Sequence, residues 1–169
     1  MEDAIIIKPG EAIDVPRLTE IYNYYIANTP ISFDTEPISV EQRLSSWFNH
    51  YGLTGPYRLL VAKVNGKTVG YATSSQFRTK AAYYTSVESS IYIDPLALYQ
   101  GIGSKLYAVL FEQLEDTEVH RAYVGITLPN EASMALHRKF GFKEIGVYSE
   151  VGYKFGQFYN VCWLEKSFS

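Results

Sequence analysis

Apolar positions recur along this chain with two different periods, and the period changes several times between its two ends. Spacings of three and four residues predict α-helices, whereas alternation or a short apolar run predicts a β-strand. Helical spacing occurs over residues 15–26, 39–48, 101–114 and 130–140. Strand patterns occur over residues 5–7, 59–64, 69–73, 86–93, 122–126, 143–153 and 159–166. The predicted order is therefore β-α-α-β-β-β-α-β-α-β-β.

Turn and cap residues support these boundaries. Asp14 can cap the first helix, and Ser39-Val40-Glu41-Gln42 has the form of a capping box for the second. Asn65-Gly66 predicts a two-residue hairpin, and Gly141 ends the last helix as glycine does at the C′ position. A hairpin in the first half and βα units in the second indicate an α/β fold with a mixed sheet covered by helices.

Composition narrows the class of protein. With 169 residues and 47% hydrophobic positions, the chain fits one domain, 1–169, with a real core. A net charge of −3 argues against nucleic acid as a partner. No apolar run is long enough for a membrane span, and no signal peptide opens the chain, so we expect a cytoplasmic protein. The single cysteine, Cys162, lies in a strand-like run and is expected to be packed and inert.

The segment Gly101-Ile102-Gly103-Ser104 follows a strand and opens a helix. Glycines let a backbone approach a ligand, and a helix N-terminus offers free N–H groups to a phosphate. Taken alone, this motif is more often a tight turn. It lacks the third glycine of a dinucleotide fingerprint, since Leu106 stands there, and Ser104 follows Gly rather than the Lys of a P-loop.

Two titratable side chains are candidates for proton transfer, although a residue of each type is more often simply exposed to solvent. Glu88 lies within an apolar strand, where a half-buried carboxylate can act as a base, but a solvated, outward-facing Glu is the commoner case. His137 titrates near neutral pH, but its neighbours Arg138 and Lys139 favour a surface position. No His, Cys, Asp and Glu spacing indicates a metal site.

Several segments, in order, resemble the GNAT superfamily of N-acetyltransferases. Leu98-Tyr99-Gln100-Gly101-Ile102-Gly103 is similar to its pyrophosphate loop, with Leu98 where Arg or Gln is usual. Residues 130–142 resemble the family's Asn-x-x-Ala-x-x-Leu-Tyr-x-x-x-Gly-Phe, with His137 at the Tyr position, as in the phosphinothricin acetyltransferase branch. Residues 150–158 and 32–37 are also similar to that branch. The resemblance runs from about residue 5 to 166.

The resemblance implies the GNAT architecture, with a mostly antiparallel sheet, splayed fourth and fifth strands and acetyl-CoA in the gap. It implies that Ile91 and Ile93 pair with the pantetheine arm and that an N–H at a nearby bulge polarises the thioester carbonyl. The residues implied to bind the cofactor are Ile91, Tyr92, Ile93, Tyr99, Gln100, Gly101, Ile102, Gly103, Ser104, Asn130, Ser133 and Lys139. No metal is implied.

The same resemblance implies transfer of an acetyl group to the amine of a small amino acid such as phosphinothricin, methionine sulfone or methionine sulfoximine. Glu88 and His137 become the catalytic pair, with the base and the acid unassigned between them. Phe33, Arg78, Tyr83 and Lys154 become candidates for the acceptor pocket, although Arg78 could equally be a solvated hairpin charge. The branch also implies a homodimer.

Two alternatives stay open on the sequence. One is a non-catalytic acyl-CoA-binding protein of the same fold, and the other is an enzyme acting on a different amine, such as a polyamine or a protein N-terminus. The aromatic segment from Phe158 to Trp163 fits either a subunit interface or the core.

Overall fold

All the predicted helices and strands are present, in the predicted order, in a computed structural model that describes residues 3–97 and 99–168. Leu98, which begins the predicted phosphate loop, lies outside the described residues. The strands are β1 (Ile5–Pro9), β2 (Arg58–Val64), β3 (Lys67–Gln76), β4 (Ser86–Ile93), β5 (Arg121–Thr127), β6 (Lys143–Lys154) and β7 (Gln157–Ser167). The α-helices are α1 (Val15–Asn28), α2 (Val40–Ser46), α3 (Ile102–Glu115) and α4 (Glu131–Lys139).

The strands form one seven-stranded sheet in the order β1-β2-β3-β4-β5-β7-β6. Neighbouring strands run antiparallel except β4 and β5, which are parallel. These two pair only over Ser86–Glu88 and Arg121–Tyr123, although both strands continue further. The predicted mixed sheet with splayed fourth and fifth strands is therefore confirmed.

Helices cover both faces of the sheet, because the central strands are apolar on both sides. Leu59, Val61 and Tyr71 pack with α1 in one cluster of buried residues. Alternate residues of the same strands pack with α3 in a second, larger cluster that includes Leu60 and Ala72. The period of two along a strand sends neighbouring residues to opposite faces, so β2 contributes to both clusters.

The predicted turns and caps are mostly confirmed. Ser39 and Gln42 form the capping box at α2, and the Asn65-Gly66 hairpin has both residues at positive φ, as a type I′ turn requires. Gly141 takes a φ of 86° one residue after Phe140, which is the C-cap of α4. Glycine tolerates this left-handed conformation, which lets the chain reverse at once into β6.

Three expectations differ from the structure. Helix α2 ends at Ser46, and Phe48 instead begins a short 3₁₀ turn. Asp14 does not cap α1, because its carboxylate accepts from the Glu11 N–H and pairs with the Lys63 ammonium at 2.7 Å. The bulge expected in β4 is absent, since the β3–β4 register is continuous from Gly70–Ile93 to Gln76–Val87.

Among the described residues, no helix combines the length and hydropathy needed to cross a lipid bilayer. Cys162 is buried in β7 and carries a free thiol, as expected. Burial raises the pKa of this thiol, which keeps it in the protonated, unreactive form.

Candidate active site

A cavity of about 400 Å³ opens where β4 and β5 separate. Glu88–Tyr92 of β4 form one wall and Val124–Thr127 of β5 form the other. The remaining lining residues come from the α1 region (Tyr22, Ile31, Ser32, Phe33, Asp34), from α3 (Tyr107), and from α4 and its cap (Asn130, Ser133, His137). Both candidate catalytic side chains, Glu88 and His137, therefore line one space, although they are 49 positions apart in the sequence.

Glu88 is half-buried and lies at the point where pairing between β4 and β5 ends. The solvated position favoured by its residue type alone is wrong. Burial raises the pKa of its carboxyl group above the usual 4.5, and the positive charge of Arg78 offsets part of that rise. A carboxylate with a raised pKa at the edge of a cavity is suited to accept a proton near neutral pH.

His137 is 1% exposed, so the surface position favoured by its charged neighbours is also wrong. Its Nδ1 lies 2.7 Å from the carbonyl oxygen of Ser133, and its Nε2 lies 2.9 Å from the hydroxyl of Tyr107. A carbonyl can only accept, so Nδ1 carries the proton and Nε2 accepts from Tyr107. Burial lowers the pKa of His137 below its usual 6.5, which favours this neutral form.

Tyr107 connects His137 to the cavity wall. It is fully buried on α3, and burial raises the pKa of its phenol, so the hydroxyl keeps its proton. The nearby Ser89 hydroxyl lowers the pKa of Tyr107 by a smaller amount. The Ser89 hydroxyl itself makes no hydrogen bond of normal geometry to a described residue. Tyr107 was not predicted as a site residue, because in the sequence it is one more aromatic residue on a buried helix face.

The N-terminus of α3 has features that favour an anion. Gly101 takes a φ of 80° directly before the helix, and no side chain caps the N–H groups of the first turn. Lys139, from the end of α4, reaches across and donates to the hydroxyl of Ser104 at 2.9 Å. An uncapped helix N-terminus and an adjacent ammonium both attract a negative group. Tyr99 and Gln100 are exposed and lead into this turn.

Other residues expected to bind the cofactor are distributed along the same gap. Ile91 and Tyr92 line the cavity, and beyond Glu88 no described strand pairs with the β5-facing edge of β4. Ile93 does not line the cavity, and its carbonyl accepts from the Tyr25 hydroxyl at 2.5 Å. Asn130 caps α4 by accepting from the N–H of Ser133, so it positions this end of the cavity as well as lining it.

The expected acceptor residues fall into three different places. Phe33 lines the cavity, as expected. Lys154 does not line it. The residue is only 5% exposed, and its ammonium donates to the carbonyls of Thr29 and Ser32 at 2.9 and 2.7 Å. Gly152 lies under the Phe33 ring, where an added Cβ would come within 2.2 Å of a ring carbon. The Gly152-Tyr153-Lys154 segment of β6 therefore supports the loop that carries Phe33.

Arg78 and Tyr83 lie outside the cavity, in the connection between β3 and β4. Arg78 is exposed, and its guanidinium packs 4.1 Å from the centre of the Phe77 ring. Tyr83 makes an edge contact with the same ring. In this structure Arg78 therefore acts on Glu88 through its charge rather than by direct contact.

Within residues 3–97 and 99–168, no three His, Cys, Asp or Glu side chains come together as a metal site would require. The arrangement thus consists of a carboxylate and a His–Tyr pair that line one gap, together with the uncapped N-terminus of α3.

Comparison with known proteins shows which family this chain resembles. The chain matches the family model described as the acetyltransferase (GNAT) family over residues 18–142. It is 49% identical to the phosphinothricin N-acetyltransferase of Streptomyces coelicolor, over 95% of this chain and 94% of that protein. It is 31% identical to the L-methionine sulfoximine/L-methionine sulfone acetyltransferase of Salmonella typhimurium, over 96% and 91%. A Salmonella typhimurium acetyltransferase solved with acetyl-CoA superposes with a TM-score of 0.92 at 28% identity, covering 99% and 95%.

The buried state of His137 can be tested without any substrate. The free energy of unfolding should fall as the pH is lowered through 6.5, because the unfolded chain then binds a proton that folded His137 resists. In His137→Gln this part of the pH dependence should flatten, whereas exposed His50→Gln should keep it. Denaturant titrations at several pH values give the slope, and NMR of the ring nitrogens gives the pKa. Titration of His137 at or above 6.5 would contradict the assignment.

Proposed function

The chain belongs to the GNAT acetyltransferase family, and from this premise we propose that it acetylates the α-amine of a small amino acid with a tetrahedral polar side chain. It is an acetyl-CoA-dependent N-acetyltransferase by its relatives, and phosphinothricin, methionine sulfone and methionine sulfoximine are the proposed acceptors. The observation that carries the proposal is that Glu88 and the Tyr107–His137 pair line the same cavity between β4 and β5.

Acetyl-CoA supplies the acetyl group as a reactive thioester. In the proposal its pyrophosphate binds the uncapped N-terminus of α3 around Gly101–Ser104, next to the Lys139 ammonium. The unpaired edge of β4 around Ile91 and Tyr92 holds the pantetheine arm by strand-like hydrogen bonds. A backbone N–H of this edge, without a bulge, then stabilises the negative charge that develops on the carbonyl oxygen.

Glu88 serves as the base. An amine is mostly protonated near neutral pH, so it must lose a proton before it attacks the thioester carbonyl. Glu88 lies on the same face of β4 as Ser90 and Tyr92, towards α1 and the Phe33 loop, from which the acceptor enters. Its raised pKa makes it a better base than a solvated carboxylate, and the attack occurs directly, without an acetylated enzyme residue.

The Tyr107–His137 pair serves the leaving sulfur. Both nitrogens of His137 are engaged, so the group that can give a proton to the cavity is the Tyr107 hydroxyl. Once Tyr107 has protonated the leaving thiolate, its phenolate takes up, through solvent in the cavity, the second proton that the attacking nitrogen loses as the amide forms. The first proton, held by Glu88, is released to solvent, so one proton is released per turnover. His137 takes part by positioning the Tyr107 hydroxyl through its Nε2. This division gives Glu88 the role of base and the Tyr107–His137 pair the role of acid.

The assembly is part of the proposal. Strand β6 is an edge strand, and it exposes Ile145, Val147, Tyr148, Val151 and Tyr153. An exposed apolar surface of this extent on an edge strand is typical of a subunit interface, so we include a homodimer. We also include a single domain over residues 1–169, because all seven strands share one sheet. A cytoplasmic location is included because the one thiol is unpaired.

The proposed activity is tested by measuring CoA release from acetyl-CoA with phosphinothricin, methionine sulfone, methionine, spermidine and a short peptide. Turnover should be fastest with phosphinothricin or methionine sulfone. Faster turnover of spermidine or the peptide would replace the proposed acceptor class with another amine.

Replacement of Glu88 tests the base. Glu88→Gln should lower kcat by about 10²- to 10⁴-fold while leaving acetyl-CoA affinity nearly unchanged, because only proton transfer is lost. In the wild type, kcat/KM should fall as the pH drops through the raised pKa of Glu88. Arg78→Gln should move that fall to higher pH, since it removes the charge that lowers this pKa. Glu144→Gln, which lies on β6 away from the cavity, is the control, and an unchanged kcat in Glu88→Gln would remove Glu88 from the mechanism.

Replacement of Gly101 tests the phosphate site. Gly101→Ala strains a positive φ by about 1–2 kcal/mol and distorts the turn that presents the helix N-terminus, so the KM for acetyl-CoA should rise several-fold. Gly66→Ala is a matched control, because Gly66 also has a positive φ and an added Cβ there meets no atom within 4 Å. Both variants should lose similar stability in denaturant titrations. An equal KM in the two variants would argue against this loop.

Replacement of an exposed apolar residue on β6 tests the homodimer. Light scattering after size-exclusion chromatography should give a dimer for the wild type and a monomer for Val147→Asp, because a buried charge opposes association. Leu53→Asp, at an exposed position away from β6, should remain dimeric. A monomeric wild type at micromolar concentration would reject the interface.

A further inference from the structure

A second pocket of about 350 Å³ adjoins the catalytic cavity on the α1 and α2 side of the sheet. Five aromatic residues line it: Tyr22, Trp47, Tyr51, Tyr71 and Tyr92. It shares Tyr22, Asp34, Ser90 and Tyr92 with the catalytic cavity, so the two spaces meet along β4. A small molecule in this pocket would therefore lie next to the gap in which acyl transfer takes place.

The unusual feature of this pocket is Arg43 of α2, which is 3% exposed. Its guanidinium carbon lies 3.9 Å from the centre of the Trp47 ring and 4.3 Å from that of Tyr22. Its only hydrogen bond to a described residue is a long one, from Nη2 to the Tyr71 hydroxyl at 3.3 Å. Nε and Nη1 are buried without any hydrogen-bond partner in the described part of the chain.

No described carboxylate forms an ion pair with this guanidinium. Arg43 forms no ion pair within the described ranges, and the one carboxylate that lines the pocket, Asp34, is exposed and held by the Tyr22 hydroxyl. The surrounding phenols are neutral, because burial raises the pKa of Tyr22 to about 12 and raises those of Tyr51, Tyr71 and Tyr92 as well. Arginine itself does not lose its proton in proteins.

Such a cation is costly to bury without an anion. The attraction between a guanidinium and aromatic rings recovers only part of the lost hydration, and unused N–H donors in a buried site add to the cost. The aromatic rings hold the guanidinium in place, and the free donors match a carboxylate in charge and in hydrogen bonding. The α-amine of an amino acid is attached to the carbon next to its carboxylate, so the two groups can occupy the pocket and its junction with the catalytic cavity together.

We propose that this pocket binds the carboxylate of the amino-acid acceptor, with Arg43 as its counter-ion, which makes Arg43 a specificity-determining residue. The inference rests on the proposed function and deepens it. It assigns to Arg43 the recognition that the sequence suggested for Arg78, whose exposed guanidinium lies outside the catalytic cavity. It also explains why a charged residue occupies the buried side of a seven-residue helix.

The test compares methionine sulfone with its carboxamide, which retains the amine and the sulfone but lacks the negative charge. The measured quantity is the ratio of kcat/KM for the acid to kcat/KM for the carboxamide. This ratio should be at least about 30-fold higher in the wild type than in Arg43→Met, which corresponds to the loss of one buried charge-assisted contact. Arg43→Lys, which keeps the charge without the planar stacking, should give an intermediate ratio. The KM for acetyl-CoA should be unchanged in both variants. Arg58→Met is the matched control, because Arg58 is hydrogen-bonded to Gly55 and Gln113 outside this pocket.

Calorimetric binding of the same two compounds, with CoA present, separates this inference from the proposed function. Preferential binding of the acid by the wild type and its loss in Arg43→Met would support the pocket even if no acetyl transfer occurs. Turnover with an acid-to-amide ratio that is equal in wild type and Arg43→Met would overturn the inference and leave the proposed activity intact. A parallel loss of acid and amide, with a lower Tm, would show that Arg43 only braces the aromatic rings and would also overturn it.

Discussion

The separation of β4 and β5 is the constraint on which the rest of the structure depends. β4 pairs with β3 from Val87 to Ile93, and β5 pairs with β7 along its whole length. The two halves of the sheet are joined only by Ser86–Glu88 against Arg121–Tyr123. Beyond that junction no described strand pairs with the facing edges of β4 and β5, and unpaired backbone N–H and C=O groups favour an extended ligand that supplies hydrogen-bond partners.

Burial in this gap moves two titratable groups towards neutrality for the same physical reason. A low-dielectric surrounding disfavours the charged form of any group, so it raises the pKa of the Glu88 carboxyl and lowers that of the His137 imidazole. Neighbouring groups then act on the protonation state of each. Arg78 limits the rise at Glu88, and the Ser133 carbonyl and Tyr107 hydroxyl fix the tautomer of His137.

The sequence predicted the order of elements and the position of the glycine turn that opens α3, because these depend on local periodicity and on glycine conformation. It also predicted Glu88 and His137 as catalytic candidates, but only through family resemblance, because residue type and neighbouring charges favoured exposed positions for both. Tyr107 and Arg43 were missed because each looks like an ordinary helix residue until tertiary packing buries it. Lys154 was placed in the acceptor pocket because a lysine in a matching motif suggests ligand contact, whereas its ammonium binds the carbonyls of Thr29 and Ser32.

The alternation of side chains along β6 places one set against the protein and the other on its surface. Gly152 and Lys154 face the protein, where one accommodates the Phe33 ring and the other holds the loop that carries it. Val151 and Tyr153 alternate with them and face outward. A shift of the β6–β7 register by one residue would exchange the two sets, placing bulky side chains under Phe33 and the lysine in solvent. The same register therefore determines both the shape of the Phe33 side of the cavity and the apolar surface proposed for the homodimer.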